Sequence, residues 1–515
     1  MTKTIVIGAG MGGLVAALEA ARAGFDVTLI EKAQAPGGKI RTIIAGEHAI
    51  DAGPTVFTMK RVFDDLFARS GRSFDAAVKS EKLSVLARHF WPDGSRLDLF
   101  ANRAQSVDAI AAFAGRDEAQ AFATFSAEAS RLYDLLKDKF IFADRLGVGG
   151  MIAALGVPGL IALTKLGPFA TLWQKLGRDF KDPRLQQLFG RYATYSGGSP
   201  FASPATLMLI ADVEMQGVWR IDGGMIELAK AIADLAAEQG VRFRYGEAVQ
   251  SIDAPQGRVQ SVTLQSGERL TADRIIFNGD VAALAEGLLG SGVVRAGLPM
   301  PSRQRSLSAM TWCVATPDCG PALSHHNVFF DDDYRSEFDD VFAKRRLPRK
   351  PTLYVCAQDR GNKAAKRQSE RLLMLVNAPA DGDQGRLPDA QIMATERAIA
   401  AHLARQGISL DGAAMVRTEP HDFAGLFPGS GGALYGQAPH GWIKSVTRGD
   451  ARTAIEGLYR CGGSVHPGAG VPLAALSGLK AVSALMADCN LTSPSRRAVI
   501  SGGMSTRSAR TEPMV

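Results

Sequence analysis

TIVIGAGMGG at residues 4–13 passes from four strand-forming residues into a cluster of glycines, and VTLIE at 27–31 brings the next such run to an acid. Between them, Leu14 to Ala23 has helical composition. A strand, a glycine turn, a helix and a second strand ending in a carboxylate form the βαβ unit that binds an adenine dinucleotide. Gly8 permits the tight turn, Gly10 lets a pyrophosphate approach the backbone, and Gly13 lets the helix lie close on the strand. The N–H groups at the helix start, those of Met11 and Gly12 among them, face the phosphates. Glu31, with Lys32 beside it, can accept hydrogen bonds from a ribose diol. The glycines alone say little, since such turns are common; the flanking strands, the helix and the spaced acid make the unit. At this point the ligand is NAD or FAD.

PGGKIR at 36–41 and DAGP at 51–54 follow. A second glycine pair and a basic pair this soon after the acid resemble the extended FAD fingerprint of the large flavin oxidoreductase group that includes amine oxidases and carotenoid desaturases. The resemblance implies FAD as cofactor, with Gly37 and Gly38 letting the backbone pass close to its flavin side. Arg41, with Lys39, would neutralise pyrophosphate charge. Taken alone, Lys39 and Arg41 are an ordinary solvated pair.

The chain has 515 residues, 46% of them apolar, enough for a large core in two or more domains. Helical and strand patterns alternate, so the fold class is α/β (α+β). Cys313, Cys319, Cys356, Cys461 and Cys489 are scattered, without CxxC or zinc spacing, and no metal is expected. The first strand begins too early to leave room for a signal peptide, so a cytoplasmic protein is expected. A formal charge of +7 and a pI of about 9.1 favour an anionic surface. No nucleic-acid module is present, which leaves a membrane as the expected surface. LGVGGMIAALGVPGLIALT at 146–164 carries no charge. Its glycines and Pro158 suit two short apolar helices lying in a membrane interface better than one crossing; a buried pair of core helices is the alternative. Phe169 and Trp173 are the candidate interface aromatics.

Patterning divides the chain into 1–90, 217–280 and 442–490 as an FAD-binding domain, 91–216 as a helical region contacting membrane and substrate, 281–441 as a substrate domain, and 491–515 as a disordered tail. Within these, 86–90 and 96–100 look like a strand pair and 226–238 like an amphipathic helix. Strands are expected at 241–245, 248–252 and 274–277, the last ending at Asn278-Gly279. The 281–441 insertion shows two strand-like pieces, at 309–314 and 352–357.

GGSVHPGAGVP at 462–472 is a second glycine turn before an apolar helix. With Pro472 in the first helical turn, the loop from Gly463 to Gly470 and Val471 presents N–H groups to whatever lies above the helix. An isoalloxazine ring placed there would have negative charge favoured at N1 and O2 by the helix dipole. A packing turn that closes the sheet is the alternative.

With these strings the chain resembles carotenoid desaturases of the bacterial and fungal phytoene-desaturase type. GAGMGGLVAALEAARAGFDVTLIEK, PGGK, DAGPTVFTM, HHNVFFDDDYRSEFDDVF at 325–342, LYVCA at 353–357 and VHPGAGVP at 465–472 carry the match, from Thr4 to about Leu485. The resemblance implies a discontinuous Rossmann-like FAD-binding domain of the amine-oxidase/desaturase type with an inserted mixed substrate domain, and Val249 beside the adenine. It also implies a membrane-peripheral enzyme acting on a long acyclic carotenoid, with oxygen or a quinone as final electron acceptor. MQGVWRIDGGMIEL at 215–228, which lacks an aromatic-Pro pair before its double glycine, and GGALYGQAPHGW at 431–442 are similar to the subgroup that desaturates 1-hydroxylated acyclic carotenoids at C-3,4, the hydroxyneurosporene or methoxyneurosporene dehydrogenase type. Phytoene desaturation is the alternative.

In such a reaction a hydride leaves one carbon and a proton its neighbour, and the adjoining polyene stabilises the charge that develops, so positioning supplies most of the help. No catalytic side chain is assigned. Glu214, Asp222, Tyr435 and His440 are candidates for taking the proton or holding a substrate hydroxyl, and each suits a structural role as well. Two rivals stand beside this reading. An amine oxidase would have a water-soluble substrate, at odds with the apolar 146–172 segment; a flavin-free lipid-escort protein should have lost its glycine turns.

Overall fold

The computed structural model describes residues 1–143, 156, 170–317, 322–361, 369–441 and 448–489. Apart from residue 156, the apolar segment at 146–164 lies outside the described residues, as do Phe169 and the tail at 491–515.

Two large sheets organise the described residues. In the first, β1 (Lys3–Ile7) is central, flanked in parallel by β2 (Asp26–Glu31) and by the strand Arg274–Phe277. Leu458–Arg460 and Arg242–Tyr245 complete the two edges, also in parallel. A parallel sheet must be covered on both faces. Helix α1 (Met11–Arg22) covers one, with Ile226–Glu238 and the C-terminal helix Val471–Asp488 packed beside it. The antiparallel strands Val249–Asp253, Ser261–Leu264 and Arg269–Thr271 help cover the other through Ile252, Val262 and Leu264. The sheet is thus built from three stretches far apart in sequence.

The C-terminal helix meets α1 at backbone distance. A Cβ on Gly478 would lie 2.3 Å from the Gly12 carbonyl oxygen, so only a residue without a side chain fits there. By length and composition this helix would qualify to cross a bilayer, but 61% of it is buried in the protein.

The second sheet runs Ala414–Thr418, Ser308–Thr316, Glu370–Ala378, Leu353–Ala357, His326–Phe329, Val85–Phe90, Arg96–Phe100. All pairings are antiparallel except that of His326–Phe329 with Val85–Phe90. The insertion contributes five of these strands rather than two. The division at residue 90 falls inside a hairpin of this sheet, because Val85–Phe90 pairs with an insertion strand and not with β1 or β2.

Helix Asp389–Ala404 covers one face of the second sheet. The other meets the hairpin Thr42–Ala45/His48–Asp51 and a helical body comprising Arg103–Ala114, Arg116–Leu136, Leu172–Asp179, Pro183–Gly190 and Leu209–Gln216. Local chemistry starts these helices. Asn102 accepts from the N–H groups of Ala104 and Gln105, Thr171 and Gln174 form a capping box, and Asp182 caps a helix with Pro183 in its first turn. Trp173 is no free interface aromatic: its ring packs 4.6 Å from Phe201 and 5.8 Å from Tyr334 inside the helical body.

Candidate functional site

The turn after β1 is pinned on every side. The Gly8 N–H donates to the Ile30 carbonyl at 2.8 Å, and the Gly37 N–H to the Ala9 carbonyl at 2.8 Å, which lays the second glycine pair against the first. A Cβ on Gly13 would lie 2.0 Å from the Gly8 carbonyl oxygen. Gly10 precedes α1 and no side chain caps it, so the first N–H groups of the helix, from Met11 on, are without a side-chain acceptor, as an anion-binding helix start requires. Glu31, 8% exposed, accepts from the Ala9 N–H through Oε2 at 2.7 Å and from the Ala33 N–H through Oε1 at 2.8 Å. Both oxygens keep a lone pair for a diol. Val249 lies two residues beyond Glu247, whose N–H donates to the Glu31 carbonyl, which brings Val249 to the carboxylate's end of the turn.

Substituting Glu31→Gln is expected to weaken dinucleotide binding about 10- to 100-fold, because the amide NH2 would face one of the two backbone N–H groups and one acceptor is lost. Titration of cofactor-stripped protein, followed by flavin fluorescence, checks this; an unchanged Kd would show that Glu31 has no part in the site.

The second glycine turn comes to the same place. Gly462 donates its N–H to Ser477 Oγ at 2.7 Å, and Gly470, with φ +118°, precedes the helix that opens with Val471 and Pro472, again without a side-chain cap. Asn278, at the end of the strand between the turns, joins them. Its Nδ2 donates to the Gly8 carbonyl at 3.2 Å, and its Oδ1 accepts from the Cys461 thiol at 3.5 Å. Its place at a strand end is the only sign of this in the sequence.

Two cations near these turns have backbone carbonyls as their hydrogen-bond partners. Arg448, 8% exposed, donates to the carbonyls of Tyr435 and Gly463 at 2.9 Å and of Gln437 at 3.1 Å; burial lowers its pKa to about 10, against the pull of Asp280. The Lys39 ammonium donates to the Leu434 carbonyl at 2.7 Å, and burial lowers its pKa too. Carbonyls do not neutralise charge, and Asp280 acts on both cations. Positive charge left over in a desolvated place, together with two uncapped helix ends, fits an anionic dinucleotide. Arg448 was not among the expected binding residues.

Arg41 is placed differently. Its guanidinium donates to Thr418 Oγ1 at 3.3 Å and lies over the Phe423 ring at 5.3 Å, while Lys32 reaches the Gly425 carbonyl at 3.3 Å. Both therefore tie the first sheet's loops to the 418–425 segment. Among the proton-transfer candidates, Glu214 accepts from the hydroxyls of Tyr192 at 2.6 Å and Tyr195 at 2.7 Å, and Asp222 pairs with Arg220 at 2.6 Å. His440 Nε2 accepts from the Ser199 N–H at 3.0 Å. Burial pushes the Tyr435 phenol up to about 12. All four are engaged or hard to ionise. Near the inner face of the second sheet lies a cavity of about 190 Å³ lined by Asp51, Thr55, Met225, His325 and Cys356 among others.

Residues 11–486 match the family model for flavin containing amine oxidoreductases. The chain is 50% identical to a hydroxyneurosporene desaturase from Rubrivivax gelatinosus, over 99% of this chain and 98% of that protein. It is 29% identical to a 1-hydroxycarotenoid 3,4-desaturase from a Flavobacterium species, over 93% of this chain and 97% of that one. Among solved structures, an oxidoreductase from Methanosarcina mazei aligns with a TM-score of 0.60 at 16% identity, covering 93% of this chain and 100% of that one. The last similarity concerns the fold alone.

Proposed function

The chain belongs to the flavin-containing amine oxidoreductase family, and from that membership we propose that it is an FAD-dependent carotenoid desaturase acting on 1-hydroxylated acyclic carotenoids of the hydroxyneurosporene type. One observation carries the reading: the similarity to a hydroxyneurosporene desaturase, 50% identity, extends over 99% of the chain. The cradle argues against a flavin-free escort protein, since the uncapped helix ends, the oriented Glu31 and the buried cations would have no purpose without an anionic ligand.

Bound FAD supplies a two-electron acceptor for a C–H bond. The chain's own residues hold and position. Met11 to Gly13 would present N–H groups to the pyrophosphate, Glu31 would hold the ribose, and Gly470 with Val471 would offer the second helix start to the flavin end. Lys39 and Arg448 supply the counter-charge. An allylic C–H next to a polyene needs no strong base, which agrees with the commitment of Glu214, Asp222 and His440 to other partners. The proton released from the adjacent carbon goes to water.

The net charge of +7 and the uncharged 146–164 segment support peripheral attachment to a membrane, where such a substrate dissolves. The final acceptor is oxygen or a quinone. In liposomes, FAD-loaded protein is expected to convert 1-hydroxyneurosporene into a product absorbing at longer wavelength. A red shift with phytoene and none with the hydroxylated carotenoid would reject the C-3,4 assignment.

A further inference from the structure

Several buried polar atoms outside the cofactor cradle have no hydrogen-bond partner among the described residues. Arg191 opens the turn Arg191–Ser196 and is 5% exposed; its Nη1 donates to the Tyr195 hydroxyl at 2.5 Å. Its Nε and Nη2 make no hydrogen bond among the described residues. Glu214, which accepts from two tyrosine hydroxyls, forms an ion pair with Nη2 at 3.8 Å, beyond hydrogen-bond reach. Three further buried groups nearby each carry an atom without a partner among the described residues: His89 Nε2, His326 Nε2 and the Tyr334 hydroxyl.

Sheet register brings two of them together. His89 is paired with Val328 on adjacent strands, which puts His326, two residues earlier, on the same face. Tyr334 arrives from the helix Tyr334–Phe338, its ring edge 3.3 Å from the Cβ position of Gly190, next to Arg191. The Arg191 charge acts on all three groups. Buried polar atoms without partners are uncommon in folded proteins, and a polar group brought to them would be bound.

Their chemistry selects the group. Arg191 has only donors to offer. His89 Nδ1 faces the Leu97 carbonyl at 3.2 Å, and a carbonyl can only accept, so Nδ1 carries the proton and Nε2 is a bare acceptor. Donors on Arg191 together with an acceptor on His89 match a hydroxyl, which accepts through its oxygen and donates its hydrogen.

The cluster is also close to the cofactor cradle. The Tyr354 hydroxyl bridges His326 Nδ1 at 2.8 Å and Thr55 Oγ1 at 2.7 Å. Two residues before Thr55, the Cβ position of Gly53 lies 1.9 Å from the carbonyl oxygen of Lys39. A bond made between C-3 and C-4 leaves a C-1 oxygen only a few atoms from the reacting carbon, so its site must adjoin the cofactor.

Resting on the desaturase reading above, we propose that Arg191, His89, His326 and Tyr334 form the pocket that takes the substrate's terminal hydroxyl and sets the register of the polyene against the cofactor. Tyr334→Phe removes one unpaired atom, and His89→Leu removes the bare Nε2 together with the Nδ1 bond to the Leu97 carbonyl, neither touching Arg191 or Tyr195; Tyr334→Phe, nearly isosteric, guards against a folding failure in the other. FAD-loaded wild type and variants are titrated with 1-hydroxyneurosporene, its methyl ether and neurosporene in phosphatidylcholine vesicles, following the flavin absorption band, with FAD content and melting temperature measured alongside.

The preference for the hydroxylated carotenoid over neurosporene is expected to fall about 10-fold in each variant. A mere loss of packing would weaken both ligands alike. His89→Leu should also bring the alcohol and its methyl ether, which has no proton for Nε2, to equal affinity. An unchanged preference in both variants overturns the pocket and leaves the desaturase reading standing, since conversion of 1-hydroxyneurosporene by the wild type tests that separately. Wild-type protein that holds FAD and binds neither carotenoid overturns both.

Discussion

Gly13→Ala is expected to yield protein that purifies without FAD. The added Cβ would sit 2.0 Å from the Gly8 carbonyl oxygen and 2.9 Å from Asn278 Nδ2. The first is backbone in the turn itself, so relief requires the phosphate-binding loop to move by more than ~1 Å. Asn278 cannot yield cheaply, since it holds Gly8 and Cys461 together. Overpacking of this kind costs about 3 kcal/mol or more, and because the strain falls on the atoms that bind phosphate, a loss of FAD affinity of at least about 100-fold follows. Gly177→Ala is the control: nothing lies within 4 Å of its Cβ position, and in the helix Leu172–Asp179 alanine should be neutral or stabilise by about 0.5–1 kcal/mol. A Gly13→Ala protein with wild-type flavin absorbance would show that the turn tolerates a side chain.

The second large effect is a collapse of stability in mild acid. Burial lowers the pKa of His325 and of His402 from 6.5 to about 4, and holds His89 and His326 well below 6.5. Below pH 6.5 the unfolded chain takes up a proton at each of these histidines that the native state refuses, so stability falls as pH drops from about 6.5 toward 4. His325 and His402 would each account for about 3 kcal/mol by pH 4. Glu337 works in the opposite sense: burial pushes it up to about 7, so between pH 7 and 4.5 it is the native state that holds the extra proton. Asp51, also raised by burial, acts likewise at lower pH. His325 and His402 together, at about 6 kcal/mol, outweigh Glu337, a loss comparable to the whole stability of a domain, and His89 and His326 act in the same direction. Melting temperatures followed by circular dichroism should be nearly level from pH 8 to 7 and drop steeply between pH 6 and 5. A level profile down to pH 5 would contradict neutral burial of the histidines.

Local order made the first sheet legible. Thr4 to Glu31 encodes strand, turn, helix and strand in consecutive residues, and each needs only its neighbours to be recognised. The second sheet was harder. Glu370–Ala378 is its third strand, and Leu372, Leu373, Met374 and Val376 are all buried, so the two-residue alternation that marks a half-exposed strand is lost. Arg448 was hidden for another reason. It is set apart by the carbonyls of Tyr435, Gln437 and Gly463, and no spacing in the sequence expresses that meeting. Arg191, His89, His326 and Tyr334 likewise come from four separate elements. Asn278 was half visible: its position at the end of a core strand was plain, its hold on both glycine turns was not.

The contact of Gly478 with Gly12 has a consequence for biosynthesis. Emerging from the ribosome, the opening βαβ unit lacks the edge strand Leu458–Arg460 and the helix that leans on α1, both of which follow it far along the chain. Until then its apolar surface is open to chaperones and to misassembly. The close packing of α1 is therefore complete only once the helix Val471–Asp488 has been made.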